Sequence, residues 1–192
     1  MESFVGRDSS SPFKGHEGYI GHLTYSSDGT RIFSGEGRCV HIWDSLTGTI
    51  ISTIELPRPN VYFSSHSPDG TQIAVSDSGG VHLWRPSTGT FHTLEDASIA
   101  ESLAFSPNGK FLVSGLIDGA IQIWDLSTYQ SIAKLVGHSN WVTCVAFFPD
   151  GKQTMSASWD TTIRIWHIEL LLEGKSGEMD TVTNREAKII GK

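Results

Sequence analysis

Short runs that alternate apolar with small or polar residues dominate this chain, and turn signals separate them. The stretch from Gly137 to Trp166, GHSNWVTCVAFFPDGKQTMSASWDTTIRIW, shows the pattern most completely. WVTCVAFF alternates as a half-buried strand does. In the PDG that follows, Pro149 presets one φ and Gly151 accepts a positive φ, which predicts a turn. KQTMSAS predicts a second strand, SWDTT a second turn, and TIRIW a third strand of β-branched residues ending on Trp166.

The pattern recurs. Trp43, Trp84, Trp124 and Trp166 each close a copy, at separations of 41, 40 and 42 residues. A second marker keeps the same beat: SSDG ending at Gly29, SPDG at Gly70, SPNG at Gly109 and FPDG at Gly151. Two unrelated motifs in phase divide residues 15–173 into four repeats, 15–55, 56–95, 96–136 and 137–173. The first aligns without a gap through GHEGYIGHLTYSSDG, then runs one residue short before Trp43, with Glu36 or Gly37 near the place of the turn aspartate. The second has Leu56-Pro57 in place of Gly-His, is again one residue short, and carries Arg85 after Trp84. The third has Glu95-Asp96 in place of Gly-His. TIISTIE and TFHTL read as β-branched outer strands. After Trp166 the rhythm stops: IELLLEG is short for an isolated helix, and residues 174–192 read as a polar, mobile tail.

A unit that opens on Gly-His and closes on Trp-Asp after an Asp-bearing turn resembles the WD-repeat family of β-propellers. The resemblance covers the four repeats. It implies an all-β fold of four-stranded antiparallel blades, and it assigns residues. In the family, a His before the first strand, a Ser or Thr in the second, an Asp in the second turn and the closing Trp form a buried hydrogen-bond relay. Here these are His138, Ser156, Asp160 and Trp166, with partial sets His16, Ser34 and Trp43 in the first repeat and Ser114, Asp118 and Trp124 in the third. Residues just after Gly-His and just before the turn Asp lie near the partner-binding face in the family, which singles out Asn140, Trp141 and Trp159, and by alignment Tyr19, Ile99 and Ile117. Residues before Gly-His form an outer strand of the preceding blade, so SSSPF at 9–13, within the N-terminal segment 1–14, is expected as a closing strand for the last blade of a ring.

Composition narrows the function. The formal charge is −7 and the pI about 5.5, which argues against a direct nucleic-acid track. No basic segment followed by an apolar run opens the chain, and no stretch of apolar residues is long enough to span a bilayer, so an intracellular protein of cytoplasm or nucleus, away from membranes, is expected. Cys39 and Cys144 read as small buried hydrophobes in separate strands, without a disulfide framework. Cys39-x-His41 offers two ligands where zinc wants three or four, and Gly35-x-Gly37 opens no helix, so neither metal nor cofactor is expected.

His138, Ser156 and Asp160 also look like a hydrolase triad on paper, and a hydrolase is the outside reading. No G-x-S-x-G elbow accompanies them. The leading expectation is a non-catalytic scaffold that presents loops of a propeller face to a peptide or protein. The alternative is a subunit of a larger regulatory assembly, chromatin-associated or reading ubiquitin-ligase substrates. Seven blades need roughly 290 residues, so four leave three arrangements open. The chain pairs with itself or another repeat protein, or it closes alone on residues 9–13, or it is a piece of a larger product. The SPDGT-type repeats also resemble the arrays of fungal NACHT-type signalling ATPases; no nucleotide-binding loop is present, so ATPase activity is not implied.

Overall fold

The computed structural model describes residues 12–26, 28–56, 58, 60–94, 98–172 and 185–186. These residues form four antiparallel sheets of four strands each. The first holds β1 (Ile20–Tyr25), β2 (Arg31–Glu36), β3 (Cys39–Asp44) and β4 (Ile50–Glu55) in that order. The second holds β5 (Phe63–His66), β6 (Ile73–Asp77), β7 (Gly80–Arg85) and β8 (Thr90–Leu94). The third holds β9 (Ala100–Phe105), β10 (Phe111–Leu116), β11 (Ala120–Asp125) and β12 (Gln130–Val136). The fourth holds β13 (Val142–Phe147), β14 (Gln153–Ser158), β15 (Ile163–His167) and, after the single helical turn α1 (Glu169–Leu172), β16 (Arg185–Glu186).

One hairpin chemistry recurs. Ser26 Oγ donates to Asp28 Oδ1 at 2.5 Å and accepts the N–H of Arg31 at 3.0 Å. Ser67 does the same with Asp69 and Gln72, and Ser106 with Asn108 and Phe111. The glycine of each turn, Gly29, Gly70, Gly109 and Gly151, stands at φ 69°, 68°, 68° and 70°, a region a side chain disfavours. In the fourth sheet Phe148 replaces the serine, and the backbone bond from Gly151 N–H to Phe148 O persists at 2.9 Å.

The sheets stack side by side through unlike faces. Phe33, Val40 and Ile42 of the first sheet meet Ile73, Val75 and Trp84 of the second. Ala74, Val81 and Leu83 of the second meet Leu103, Leu112 and Trp124 of the third. Val113, Ile121 and Ile123 of the third meet Val142, Val145 and Trp166 of the fourth. At each of the three junctions the Trp-bearing face of the later sheet therefore meets the opposite, apolar face of the earlier one. Among the described residues, the first and last sheets each have one face without a neighbouring sheet: Leu23 and Tyr25 are exposed at one end, and Cys144, Met155 and Ile163 at the other.

Of the expected closing strand, residues 9–11 lie outside the described residues. Pro12 and Phe13 form no strand, and Phe13 packs on Trp43 of its own first sheet with ring centroids 5.7 Å apart. The outer position beside β15 is held by β16, from the C-terminal segment, through the pairs Arg164–Glu186 and Ile165–Arg185. Cys144 is exposed and Cys39 half-buried, which corrects their reading as buried hydrophobes: both lie on terminal sheets that lack a neighbour on one side.

Candidate functional site

Two sites grow from the blade geometry, a polar relay inside the first and fourth sheets and an aromatic pair on the rim of the fourth. In the fourth sheet, register sets Ser156 opposite Arg164 and brings Trp166 alongside, while the loop before β13 carries His138. Trp166 Nε1–H donates to Ser156 Oγ at 2.8 Å, Ser156 Oγ lies 2.7 Å from His138 Nε2, and His138 Nδ1 lies 2.7 Å from Asp160 Oδ2. The proton order follows from the inventory of donors. Ser156 receives the indole N–H, so its own proton goes to Nε2, which leaves Nδ1–H to face the carboxylate. Asp160 also accepts the N–H of Ser139 at 3.1 Å and the Thr162 hydroxyl at 2.6 Å. Burial pushes the Asp160 carboxyl upward, but these hydrogen bonds from Thr162 and His138 outweigh it and hold the group well below the usual carboxylate range.

The first sheet contains the same relay with a substituted acid. Trp43 Nε1–H donates to Ser34 Oγ at 2.6 Å, Ser34 meets His16 Nε2 at 2.6 Å, and His16 Nδ1 meets Glu36 Oε2 at 2.5 Å. Glu36 also accepts the N–H of Glu17 at 3.0 Å. The partial set expected here is complete. This repeat is one residue short after Ser34, and the extra methylene of Glu36, at the end of β2, covers the lost reach.

The other two sheets depart. In the third, Ser114 Oγ and Trp124 Nε1 are buried with no hydrogen-bond partner among the described residues, and Asp118 pairs with Lys134 Nζ at 2.9 Å. Asp96, which stands where His138 does by sequence offset, lies outside the described residues. In the second, Val75 fills the serine position and Asp77 fills that of Glu36. Asp77 accepts the N–H of Arg58 at 3.3 Å and of Gly79 at 2.6 Å, and His82 Nε2 stands 3.0 Å away without hydrogen-bond alignment. His82 Nδ1 meets Thr93 Oγ1 at 3.0 Å. Glu17, Arg58 and Ser139 occupy one position of the repeat, so in three sheets a carboxylate caps the same loop N–H whether or not a histidine lies between. Asp77 and His82 escape a sequence reading keyed to the closing Trp; their signal is the alignment of Asp77 with Glu36.

On the rim, Trp141 and Trp159 stack face to face, with ring centroids 4.8 Å apart and planes 7° from parallel. Trp159 is 61% exposed and Trp141 38%. The two loops are clipped together by Trp159 N–H to Trp141 O at 3.0 Å and Ser158 Oγ–H to Asn140 O at 2.9 Å. Asn140 is exposed, and its Oδ1 accepts the Trp141 N–H at 2.8 Å. Tyr19 is almost fully exposed before β1, while Ile99 and Ile117 are half-buried before β9 and in the β10–β11 turn, where Ile117 N–H donates to Ile99 O at 3.2 Å.

Comparison with known proteins decides the family. The WD domain, G-beta repeat family, WD40, matches residues 7–44, 89–125 and 129–167, more than half of the chain. The chain belongs to the WD40 repeat family. A curated relative is the Set1 complex component swd1 of Schizosaccharomyces pombe, 46% identical over 46 residues, which is 24% of this chain and 12% of that protein. The match therefore spans about an eighth of the relative's length.

WD40 repeats make the chain a protein-interaction scaffold, with four antiparallel sheets as its blades. The WD40 relay does not present a nucleophile. Ser156 is 1% exposed, and its oxygen is committed to Trp166 and His138. Among the described residues of this WD40 chain, His16, Glu36 and His41 bring ligand atoms within 4.8 Å of one another. Both ring nitrogens of His16 are already engaged by Ser34 and Glu36, so a metal there would have to break the relay. At the opposite end from the tryptophans, a groove of about 420 Å³ between the first two blades is lined by residues that include Asp28, His66 and Asp69. No helix among the described residues is long and apolar enough to cross a membrane.

Proposed function

We propose that this chain is a non-catalytic WD40 scaffold that grips a peptide or protein at the rim of its fourth blade, with the Trp141–Trp159 stack as the anchor. The observation that supports this reading is the stack itself. Two large aromatic rings stand exposed, parallel and fixed by backbone hydrogen bonds, so a partner can bury them without first ordering them. Asn140 adds a polar group beside the anchor, Tyr19 and Ile99 hold the Trp141 position on the first and third blades, and Ile117 holds the Trp159 position on the third. The relays serve this rim by holding its loops: each satisfies polar groups that would cost about 1–3 kcal/mol if left buried and unpaired.

A random-peptide display library panned over the chain tests the proposal. Enriched peptides are expected to lose about thirtyfold in affinity to Trp159→Ala, the loss of an aromatic anchor worth about 2 kcal/mol. Peptides that bind Trp159→Ala and Trp141→Ala as well as the parent would overturn it. Ester hydrolysis that disappears in Ser156→Ala with the fold intact would overturn the non-catalytic part.

The Schizosaccharomyces pombe relative, a component of the Set1 complex, supports a second reading, in which the scaffold works as a subunit of a larger regulatory assembly, chromatin-associated or reading ubiquitin-ligase substrates, within the nucleus or cytoplasm. The two readings differ in whether the rim acts alone. Migration of the native protein in a stable complex many times its 21.0 kDa mass favours the second.

A further inference from the structure

The two end faces match, position for position, the two sides of the internal junctions. At each internal junction, the aliphatic face of one blade receives the Trp-bearing face of the next. Val113, Ile121 and Ile123 are wholly buried against Val142, Val145 and Trp166. One repeat further on, the positions of Val113, Ile121 and Ile123 are held by Met155, Ile163 and Ile165. They keep the apolar character, yet Met155 is 39% and Ile163 42% exposed. At the other end, the positions of Val142, Val145 and Phe147 are held by Ile20, Leu23 and Tyr25. Leu23 is 64% and Tyr25 69% exposed, whereas Val145 is buried. None of these positions carries a charge.

We propose that two copies of this chain associate head to tail. The fourth blade of each copy receives the first blade of the other, and the two identical junctions close a ring of eight blades. Four sheets per chain give eight for the pair, within the range of about 4 to 8 blades that propellers adopt. A heterologous contact made twice about a two-fold axis closes, so it yields a dimer and not a filament. The internal junctions show what such a face accepts: another blade's Trp side. The chain carries that side, open, at its other end.

At one position the internal junctions keep the pair small: Ser76 faces Ala100, its Oγ donating to Ala100 O at 2.7 Å, and in the other two a glycine faces a valine. Gly35 and Gly115 lie against Val61 and Val142, where an added Cβ would approach a valine methyl within 2.6 Å. The matching pair at the ends is Ala157 against Ile20, which adds a methyl to the small side of the junction. Ala157→Gly is therefore expected to tighten the dimer severalfold.

Light scattering behind size exclusion, over a dilution series of the 192-residue chain, tests the proposal independently of the rim. The expected mass is twice 21.0 kDa, falling to monomer on dilution. Met155→Glu and Leu23→Glu, both at exposed positions, are each expected to fold and to give monomers alone. Mixed in equal amounts, they are expected to recover a dimer, because one good fourth-blade face and one good first-blade face remain. Cooperative thermal melts of both variants control for folding. In the parent, Cys144 is expected to be slower to alkylate as concentration rises, since it lies on the covered face. A parent that is monomeric throughout, a parent that forms open polymers, or a dimer that survives Leu23→Glu, which is the signature of symmetric pairing through the fourth blade alone, each overturns the proposal.

Discussion

Thr161 stands at φ 71°, a conformation that is costly for a β-branched residue. It lies in the turn that carries Trp159 and Asp160, at the position where the third sheet has Gly119 at φ 86°. Thr161→Asn, which tolerates this region, is expected to raise stability by roughly 1 kcal/mol. The reverse change, Gly119→Thr, is expected to cost more, because a Cβ there would stand 2.7 Å from His138 O. Urea unfolding of both variants checks the pair; a Thr161→Asn variant no more stable than the parent would refute the strain reading. At this scale the relay residues His138, Ser156, Asp160 and Trp166 were legible through the resemblance to WD repeats, which assigns them by position; the in-phase turns fix those positions, and only the fourth repeat holds the full set in sequence. Glu36 and Asp77 were hard to read for one reason: both repeats are one residue short, which moves the carboxylate from the turn onto the end of the strand. Sequence spacing locates a backbone position, and reach depends on side-chain length as well.

The first and second blades meet through histidines. His22 of β1 packs on Phe63 at a tilt, with centroids 4.3 Å apart, and donates to Ser64 O at 2.9 Å. His66 of β5 lies 5.2 Å from Phe33 and 3.4 Å from Thr24 Oγ1. Burial lowers the pKa of both rings; the bond to Ser64 O opposes this for His22, and nearby Asp28 opposes it for His66 while His22 adds to it. A histidine whose folded pKa lies below its unfolded value of about 6.5 binds fewer protons when folded. Its contribution is fully present above that value and is lost as pH falls toward the folded pKa. Stability is therefore expected to decline as pH drops below about 6.5, well before the turn carboxylates titrate; Asp28, held to about 2 chiefly by the Ser26 hydroxyl, marks that lower limb. His66→Phe is expected to flatten the upper limb, read from urea midpoints between neutral pH and pH about 5.5; an unchanged slope refutes the assignment. The strands themselves were legible from alternation and turn chemistry. Their unequal burial was not: the central β6 and β10 are wholly buried while β1 and β14 are not, because burial depends on how many neighbours a blade has.

At the scale of the whole molecule, periodicity counted the blades but carried no information about what covers the ends. A repeat unit is the same whether it stands in the middle of an array or at its edge, so exposure of Leu23, Tyr25, Met155 and Ile163 emerges only once neighbours are placed. If two copies cover these faces, folding and association are linked by mass action, and apparent stability must depend on chain concentration. A tenfold rise in concentration adds about 0.7 kcal/mol per chain to a dimer that unfolds to monomers, half of the 1.4 kcal/mol per pair. For a chain of this size that is roughly a 2 °C rise in Tm. The slope is expected to vanish in Met155→Glu and Leu23→Glu and to persist in Trp159→Ala, because the rim lies off both end faces. Calorimetry at three concentrations separates the two surfaces. A flat Tm in the parent would leave the open faces without a second copy to fill them. A slope abolished by Trp159→Ala would move the self-contact to the rim, and the stacked tryptophans would then serve the chain's own assembly in place of a foreign partner.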